Sequence, residues 1–275
     1  MSKDDTKAVS DPVLHREEVH EEWGQDYQVE EMDRCFDRAY DKLVERLRPP
    51  PGAPLLDAGC GYCHHAVRLT RRGFDVTGVD FSEPALEQAR QYLAKTGMTD
   101  RVSISQANLL DLPFEDGQWE YVHCWGVLMH IPDLERALRE LVRVTKPGGT
   151  LIIMENNMKS VHVQVWEPLL RMVKTVLGRK CPTRERTPRG IESWFEKPGG
   201  NLLVRMTDID WLTGFMAQQG AVLEDRLASQ LSEIYTSMPL QPLKHALQVA
   251  NTMYVDKLGY AGPAQGNIMI FRKQA

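Results

Sequence analysis

The chain has 275 residues, 42% of them hydrophobic and 26% charged, which is long enough for one α/β domain with additions. Its net charge of −5 at neutral pH excludes a general attraction to nucleic acid. Five scattered cysteines exclude a disulfide framework, and the polar N-terminus and lack of a long apolar run predict a cytoplasmic protein without stable membrane insertion.

The first 50 residues are predicted to form an N-terminal helical cap. Residues 12–47 carry apolar side chains at helical spacing, and three consecutive prolines follow them. Strands and helices alternate from there to residue 155. This alternation predicts a Rossmann-like, mostly parallel sheet with helices on both faces and a ligand at the carboxyl ends of the strands. The predicted strands are 54–58, 74–79, 101–106, 119–124 and 149–154, and the helices are 63–72, 83–95 and 133–145.

Residues 156–206 break this alternation and are predicted to form a lid. A helix is expected at 162–177, and the polar, proline-rich and glycine-rich stretch behind it is too long for an ordinary loop. Residues 159–205 hold ten Lys and Arg and four Glu, a local charge of +6, while the rest of the chain carries −11. This charge predicts a solvated basic surface; the alternative is a lid that binds an anionic group on the substrate.

Residues 207–275 are expected to complete the core sheet. Thr207 and Asp210 fit a capping box for a helix that Gly220 ends. Two further strands, near 221–234 and at 267–273, bring the sheet to seven strands, with a helix at 242–257 between them. The predicted organisation is a cap (1–50), a core (51–155), a lid (156–206) and a C-terminal completion (207–275).

Three strand ends carry the parts of a nucleoside pocket. The first strand ends in Asp57 and opens into a turn at Gly59 and Gly61, where the lack of a Cβ lets the backbone approach a ligand. The second ends in Asp80, whose carboxylate can accept hydrogen bonds from both hydroxyls of a ribose. After the third, Asn108 can bond an exocyclic amine while the next backbone N–H reaches a ring nitrogen. These features predict an adenine nucleoside.

With these motifs the chain resembles the class I S-adenosylmethionine-dependent methyltransferases of the small-molecule type, similar to ubiquinone/menaquinone and natural-product O-methyltransferases. The resemblance implies S-adenosylmethionine as cofactor, S-adenosylhomocysteine as product and a small organic acceptor, methylated on a hydroxyl oxygen. It runs from residue 55 to 154, through the blocks LLDAGCG, VTGVDFSEPALEQAR, NLLDLPF, VLMHIPD and LVRVTKPGGTLII.

The resemblance also implies roles for single residues. Gly59 and Gly61 would meet the methionine part of the cofactor, and Asp57 would orient that turn or bond the amino group. Asp80 would hold the ribose, and Phe81 would stack on adenine. The remaining cofactor contacts that it implies are Asn108, where the family usually has aspartate, and Leu109 for adenine, the carbonyls of Cys124 and Trp125 for the ammonium, and Tyr27 for the carboxylate.

Oxygen methylation needs a base, and His130 in the MHIPD block is the first candidate. The alternative is a structural histidine that caps the next helix or bonds the backbone. Glu155, at the end of the fifth strand, would bond the acceptor or orient His130; the alternative is a simple strand-end carboxylate. The predicted substrate-binding residues are Met129, Asn156, Trp166 and Arg184.

Other kinds of function fit the sequence less well. Cys60, Cys63 and His64 match the spacing of a haem attachment or redox site, but no export signal or further ligand accompanies them, so a structural role in the turn and no metal are expected. Cys63 replaces the third glycine of the family. A nicotinamide site would need glycine where His64 stands. Nitrogen or carbon acceptors, a non-catalytic cofactor-binding scaffold and a homodimer remain open.

Overall fold

A computed structural model describes residues 13–14, 29–179, 181–197 and 200–275. Tyr27 lies outside the described residues, as does most of the first half of the predicted helix 12–47. The described part of that helix is α1 (Glu30–Leu47), which buries Phe36 and Tyr40 against the sheet. The cofactor contact predicted for Tyr27 therefore stays a prediction.

The described residues contain ten strands in two separate sheets. Their bounds are β1 (Ala53–Ala58), β2 (Phe74–Asp80), β3 (Val102–Gln106), β4 (Trp119–Trp125), β5 (Thr145–Asn156), β6 (Thr183–Thr187), β7 (Gly190–Lys197), β8 (Gly200–Thr207), β9 (Ala221–Gln230) and β10 (Gly266–Lys273). The large sheet has seven strands in the order β3-β2-β1-β4-β5-β10-β9, and β10 runs antiparallel to both of its neighbours. The prediction of a seven-stranded, mostly parallel sheet is confirmed.

Helices cover both faces of the large sheet. Leu55 and Leu56 are adjacent in β1 and point to opposite faces, and both are fully buried in separate apolar clusters. The first cluster includes residues of α1, α2, α3 and α7, and the second includes residues of α4 and α6. The helices after α1 are α2 (His64–Arg71), α3 (Glu83–Thr96), α4 (Leu134–Val144), α5 (Glu167–Val176), α6 (Ile209–Gln218) and α7 (Gln241–Lys257).

The polar stretch of the predicted lid forms an antiparallel sheet of β6, β7 and β8, here called the small sheet. The edge strand β6 (sequence TRERT) has no buried residue, so it lacks the apolar alternation by which strands are recognised. Gly190 pairs with Thr207, and a Cβ at this glycine would lie 2.1 Å from the carbonyl oxygen of Met206. Gly190 is thus required for close strand packing.

The predicted capping box is also wrong. Asp208, not Thr207, caps α6, because its carboxylate accepts the N–H groups of Asp210 and Trp211. Thr207 is the last residue of β8, and its side chain contacts the core instead. Two strand bounds differ from the prediction by about four residues: β5 begins at Thr145, and β9 ends at Gln230.

The helix predicted at 162–177 begins with a π-helical turn (His162–Trp166) and continues as α5. No residue of α5 is buried, and its apolar side chains point outward, with Met172 58% and Val176 81% exposed. Within the described residues, no helix has the length and apolar character required to cross a membrane.

Candidate functional site

A cavity of about 390 Å³ lies at the carboxyl ends of the parallel strands. The glycine turn after β1, the end of β2 and the loop after β3 form one end of it, and the loop after β4 and the end of β5 form the other. The predicted site residues that line it are Gly59, Gly61, Asp80, Phe81, Asn108, Leu109, Trp125, Met129, His130 and Asn156.

Glycine is favoured at the two positions of this turn for different structural reasons. A Cβ at Gly59 would lie 2.4 Å from the Val127 side chain, so only glycine fits between the turn and the loop after β4. Gly61 has open space around it but has φ +49, a backbone conformation that favours glycine. Together they let the backbone form one wall of the cavity.

Asp80 is held in place by the turn that it faces. Its Oδ2 accepts the N–H of Gly61 at 2.9 Å, and its Oδ1 accepts the N–H of Ser82 at 2.9 Å. A carboxylate offers about four lone-pair sites, so both oxygens keep the capacity to accept hydroxyl hydrogens. The carboxylate is thereby oriented before any ligand binds.

Cys63, at the position of the family's third glycine, adopts a left-handed conformation (φ 64) despite its side chain. The side chain is fully buried in the core, and the N–H donates to the carbonyl of Cys60 at 2.8 Å. The turn therefore closes normally. A hydrogen bond with Cys63 and burial raise the pKa of the Cys60 thiol well above its usual value, which disfavours a reactive thiolate. In the described part of the chain, no three His, Cys, Asp or Glu side chains converge to suit a metal ion.

One hydrogen-bonding position of the Asn108 side chain is occupied within its own turn, because its Oδ1 accepts the N–H of Leu110 at 2.9 Å. This bond leaves one lone pair on Oδ1 for an exocyclic amine. Asn108 and Leu109 both line the cavity, as predicted for residues that contact adenine.

Asp57 and Cys124 lie outside the cavity lining, and the ligand contacts predicted for them stay predictions. Asp57 is buried, and its Oδ1 is 2.7 Å from Nδ1 of His123, whose Nε2 is 2.9 Å from the hydroxyl of Tyr40. This chain stiffens the end of β1, which fits the orienting role foreseen for Asp57. Cys124 is buried in the pairing of β4 with β5.

His130 lines the cavity from a 3₁₀ turn (Leu128–His130) after β4. Its Nδ1 lies 2.7 Å from the carbonyl oxygen of Leu203 in β8. Because a carbonyl only accepts hydrogen bonds, Nδ1 carries the hydrogen, and Nε2 is the basic nitrogen of the neutral ring. Nearby, the amide nitrogen of Asn156 contacts the sulfur of Met129 at 3.5 Å, and the buried amide oxygen of Asn156 has no hydrogen-bond partner.

Glu155 does not line the cavity, and its predicted role of bonding the acceptor or orienting His130 stays a prediction. It is 1% exposed, and its Oε2 accepts the hydroxyl of Thr207 at 2.7 Å. Burial raises its pKa to about 7, opposed by Thr207, the Arg205 guanidinium and the backbone of Met129. Glu155 therefore joins the end of β5 to the end of β8.

Trp166 and Arg184, predicted to bind the substrate, also lie outside the lining. Trp166 is partly exposed, and Arg184 forms an ion pair with Glu167 at 2.8 Å. Among the described lining residues, Arg68 is the one Lys or Arg, and it pairs with Asp33. The basic charge of residues 159–205 thus gives no support to an anionic group on the acceptor.

Comparison with known proteins identifies the family. Residues 56–153 match the family described as methyltransferase domain. The demethylmenaquinone methyltransferase of Staphylococcus aureus is 31% identical over 171 residues, which cover 60% of this chain and 70% of that protein. The chain belongs to the S-adenosylmethionine-dependent methyltransferases.

Two further proteins are similar to this methyltransferase, one in sequence and one in fold. Methyltransferase GfsG of Streptomyces halstedii is 33% identical over 134 residues, so the match spans about half the length of each protein (48% of both). The geranyl diphosphate C-methyltransferase of Streptomyces coelicolor A3(2), solved with S-adenosyl-L-homocysteine, shares the fold with a TM-score of 0.54 at 17% identity, covering 86% of this chain and 78% of that one.

Several lining residues of the methyltransferase were not predicted from its sequence. Gln230 ends β9, and its amide donates to Glu233 at 2.7 Å. A polar residue at the carboxyl end of a strand is a sign of a site residue, and Gln230 is one. It was not recognised because the strand was predicted to continue to residue 234. Phe36 of α1 and Val204 of β8 carried no such signal, since an apolar stripe does not reveal which residues face a cavity.

Proposed function

We propose that this methyltransferase methylates a hydroxyl oxygen of a small, neutral organic acceptor, with His130 as the general base. The observation that carries the proposal is the hydrogen bond of His130 Nδ1 to the Leu203 carbonyl. It fixes the tautomer whose Nε2 accepts a proton, in a side chain that lines the cavity.

The cofactor is placed at the end of the cavity formed by the glycine turn. Asp80 accepts the ribose hydroxyls, Phe81 packs on the adenine, and Asn108 with the N–H of Leu109 bonds the adenine edge. Gly59, Gly61 and Trp125 border the methionine part. Three observations favour this arrangement: the backbone N–H groups orient the Asp80 carboxylate, Gly61 leaves open space, and all these residues line one cavity.

The acceptor is placed at the other end, between Met129, His130, Ile131, Asn156 and Val204. Apolar side chains predominate there and exclude water from the reacting groups. The unpartnered amide oxygen of Asn156 is suited to a hydroxyl of the acceptor, because a buried acceptor atom without a hydrogen bond is costly.

Bound S-adenosylmethionine supplies an electrophilic methyl carbon on a sulfonium. The protein residues would orient the acceptor hydroxyl towards the bound cofactor, and Nε2 of His130 would take its proton as the methyl group passes from sulfur to oxygen, which leaves S-adenosylhomocysteine. Asn156 and Met129 hold the acceptor from the β5 side. Glu155 lies behind this wall and touches no reacting atom.

The test is His130→Ala, assayed with a panel of phenols and aliphatic alcohols by release of S-adenosylhomocysteine. We expect turnover to fall on the order of 10²- to 10⁴-fold while the calorimetric Kd for S-adenosylmethionine stays within twofold. The matched control is His245→Ala, because His245 is 60% exposed on α7 and lies outside the cavity lining. Unchanged turnover in the His130 variant would contradict the base assignment.

Carbon methylation is the second candidate, because a C-methyltransferase shares this fold. A ¹³C-labelled methyl donor separates the two reactions, since a methyl group bonded to oxygen and one bonded to carbon have distinct carbon shifts. Nitrogen methylation would show as turnover of amines in the same panel. A non-catalytic scaffold would release bound S-adenosylmethionine or S-adenosylhomocysteine into a mass spectrometer but methylate none of the acceptors.

A further inference from the structure

The turn that carries His130 is bracketed by one buried side chain of the small sheet. Arg205 of β8 is 0% exposed. Its Nη1 donates to the carbonyl of Leu128 at 3.0 Å, and its Nη2 donates to the carbonyl of Ile131 at 3.0 Å. These carbonyls lie at the first residue of the turn and just behind its last one, so a single guanidinium spans the turn.

The guanidinium of Arg205 forms an ion pair with Glu192 of the small sheet. Its Nε donates to Oε1 of Glu192 in β7 at 3.0 Å, and Arg189 contacts the same carboxylate at 3.1 Å. Burial lowers the pKa of Arg205, and Glu192 opposes that effect. A buried ion pair is weak evidence for a gain in stability, but its geometry fixes which groups lie against each other.

The same strand holds the His130 ring itself. Leu203 precedes Arg205 by two residues, and its carbonyl accepts the Nδ1–H of His130 at 2.7 Å. A shift of the turn relative to β8 would break this bond and release the ring to the other tautomer, in which Nε2 carries the hydrogen and cannot remove a proton.

We propose that Arg205 is a positioning residue for methyl transfer. Its planar fork holds the turn Leu128–His130 against β8, so that Leu203 keeps His130 in the tautomer with a basic Nε2. The catalytic consequence rests on the proposed base role of His130, whereas the structural part does not. A lysine cannot replace the fork, because a single ammonium lacks its rigid, planar set of donors.

The test compares Arg205→Lys with the control Arg186→Lys, which makes the same change at an exposed position of β6. In the Arg205 variant we expect kcat to fall about 10- to 100-fold, with the Kd for S-adenosylmethionine within twofold of the wild type. The ¹⁵N shifts of the His130 ring, identified by their loss in His130→Ala, should change from one Nδ1–H tautomer to a mixture. The acidic limb of the kcat profile against pH should move as well, and the control should match the wild type in every measurement.

A second variant tests the proposal if the single Arg205 variant does not fold. The double change Arg205→Met with Glu192→Met removes both buried charges and keeps apolar volume, an exchange that proteins often tolerate. It lacks the fork and should show the same tautomer mixture and loss of kcat.

The outcomes separate the two proposals. A single Nδ1–H tautomer and wild-type kcat in a folded Arg205 variant would overturn the positioning role. A disturbed tautomer in that variant, together with full turnover in His130→Ala, would refute the base role and leave the positioning of the turn standing.

Discussion

The glycine-turn end of the cavity and the small sheet hold their side chains in different ways. Asp80 is oriented by the backbone N–H groups of Gly61 and Ser82, which are 19 and 2 residues away in the chain. His130 is oriented by Leu203, 73 residues away, on a strand of the small sheet. The cofactor end is therefore built from adjacent loops of the core, whereas the proposed base depends on a contact between the turn after β4 and the small sheet.

The two regions also differ in how charge is handled. Neutral N–H groups hold the Asp80 carboxylate, whereas Arg205 and Glu192 form a buried ion pair on neighbouring strands of the small sheet. Changes in the small sheet should therefore affect turnover and acceptor choice while leaving cofactor affinity largely intact. Changes at the cofactor end should do the reverse.

The largest expected effect that tests this contrast is on cofactor binding. Asp80→Ala removes the acceptor proposed for both ribose hydroxyls and also frees the N–H groups of Gly61 and Ser82. Since each hydrogen bond to a charged group contributes about 1.5–3 kcal/mol, the loss of two should raise the calorimetric Kd for S-adenosylmethionine about 10²- to 10⁴-fold.

The control for this prediction is Asp75→Ala, on an exposed position of the same strand, which should bind the cofactor normally. An unchanged Kd in the Asp80 variant would contradict the proposed pocket.

An intermediate effect is expected where the core meets the small sheet. Burial raises the pKa of Glu155 from an ordinary 4.5 to about 7, so the folded protein binds more protons than the unfolded chain between these values. This contribution to stability is present below pH 4.5 and is lost as the pH rises to 7, by up to about 3 kcal/mol.

The measurement is urea unfolding of wild type and Glu155→Gln at several pH values. The glutamine keeps an acceptor for the Thr207 hydroxyl but does not titrate, so its advantage over wild type should grow from pH 4.5 to 7. Parallel profiles of the two proteins would show that Glu155 does not titrate in this range.

The smallest effect is expected on α5, which belongs to neither region. Met172 is 58% exposed on this helix, so Met172→Glu should change the free energy of unfolding by no more than about 0.5 kcal/mol and leave both Kd and kcat unchanged. A larger loss of stability in the isolated protein would mean that α5 packs against the body.

Much of the large sheet was predictable because its signals are local. The largely buried strands β1, β2 and β4, the helical stripe of α4 and the glycine stops between them are each encoded within a few residues. The small sheet was missed because β6 is polar and buries no residue.

The site residues also divide into those predictable from local signals and those set by contacts between distant parts of the chain. The sequence by itself determined the glycine turn, the position of Asp80 and the strand-end location of His130, since chain order in a parallel sheet brings these strand ends to one edge. Only the tertiary structure decided that Glu155 and Arg184 lie outside the cavity lining, and that Leu203 and Arg205 hold the His130 turn. These contacts join residues at least 17 positions apart on different elements of the fold, so no local pattern encodes them.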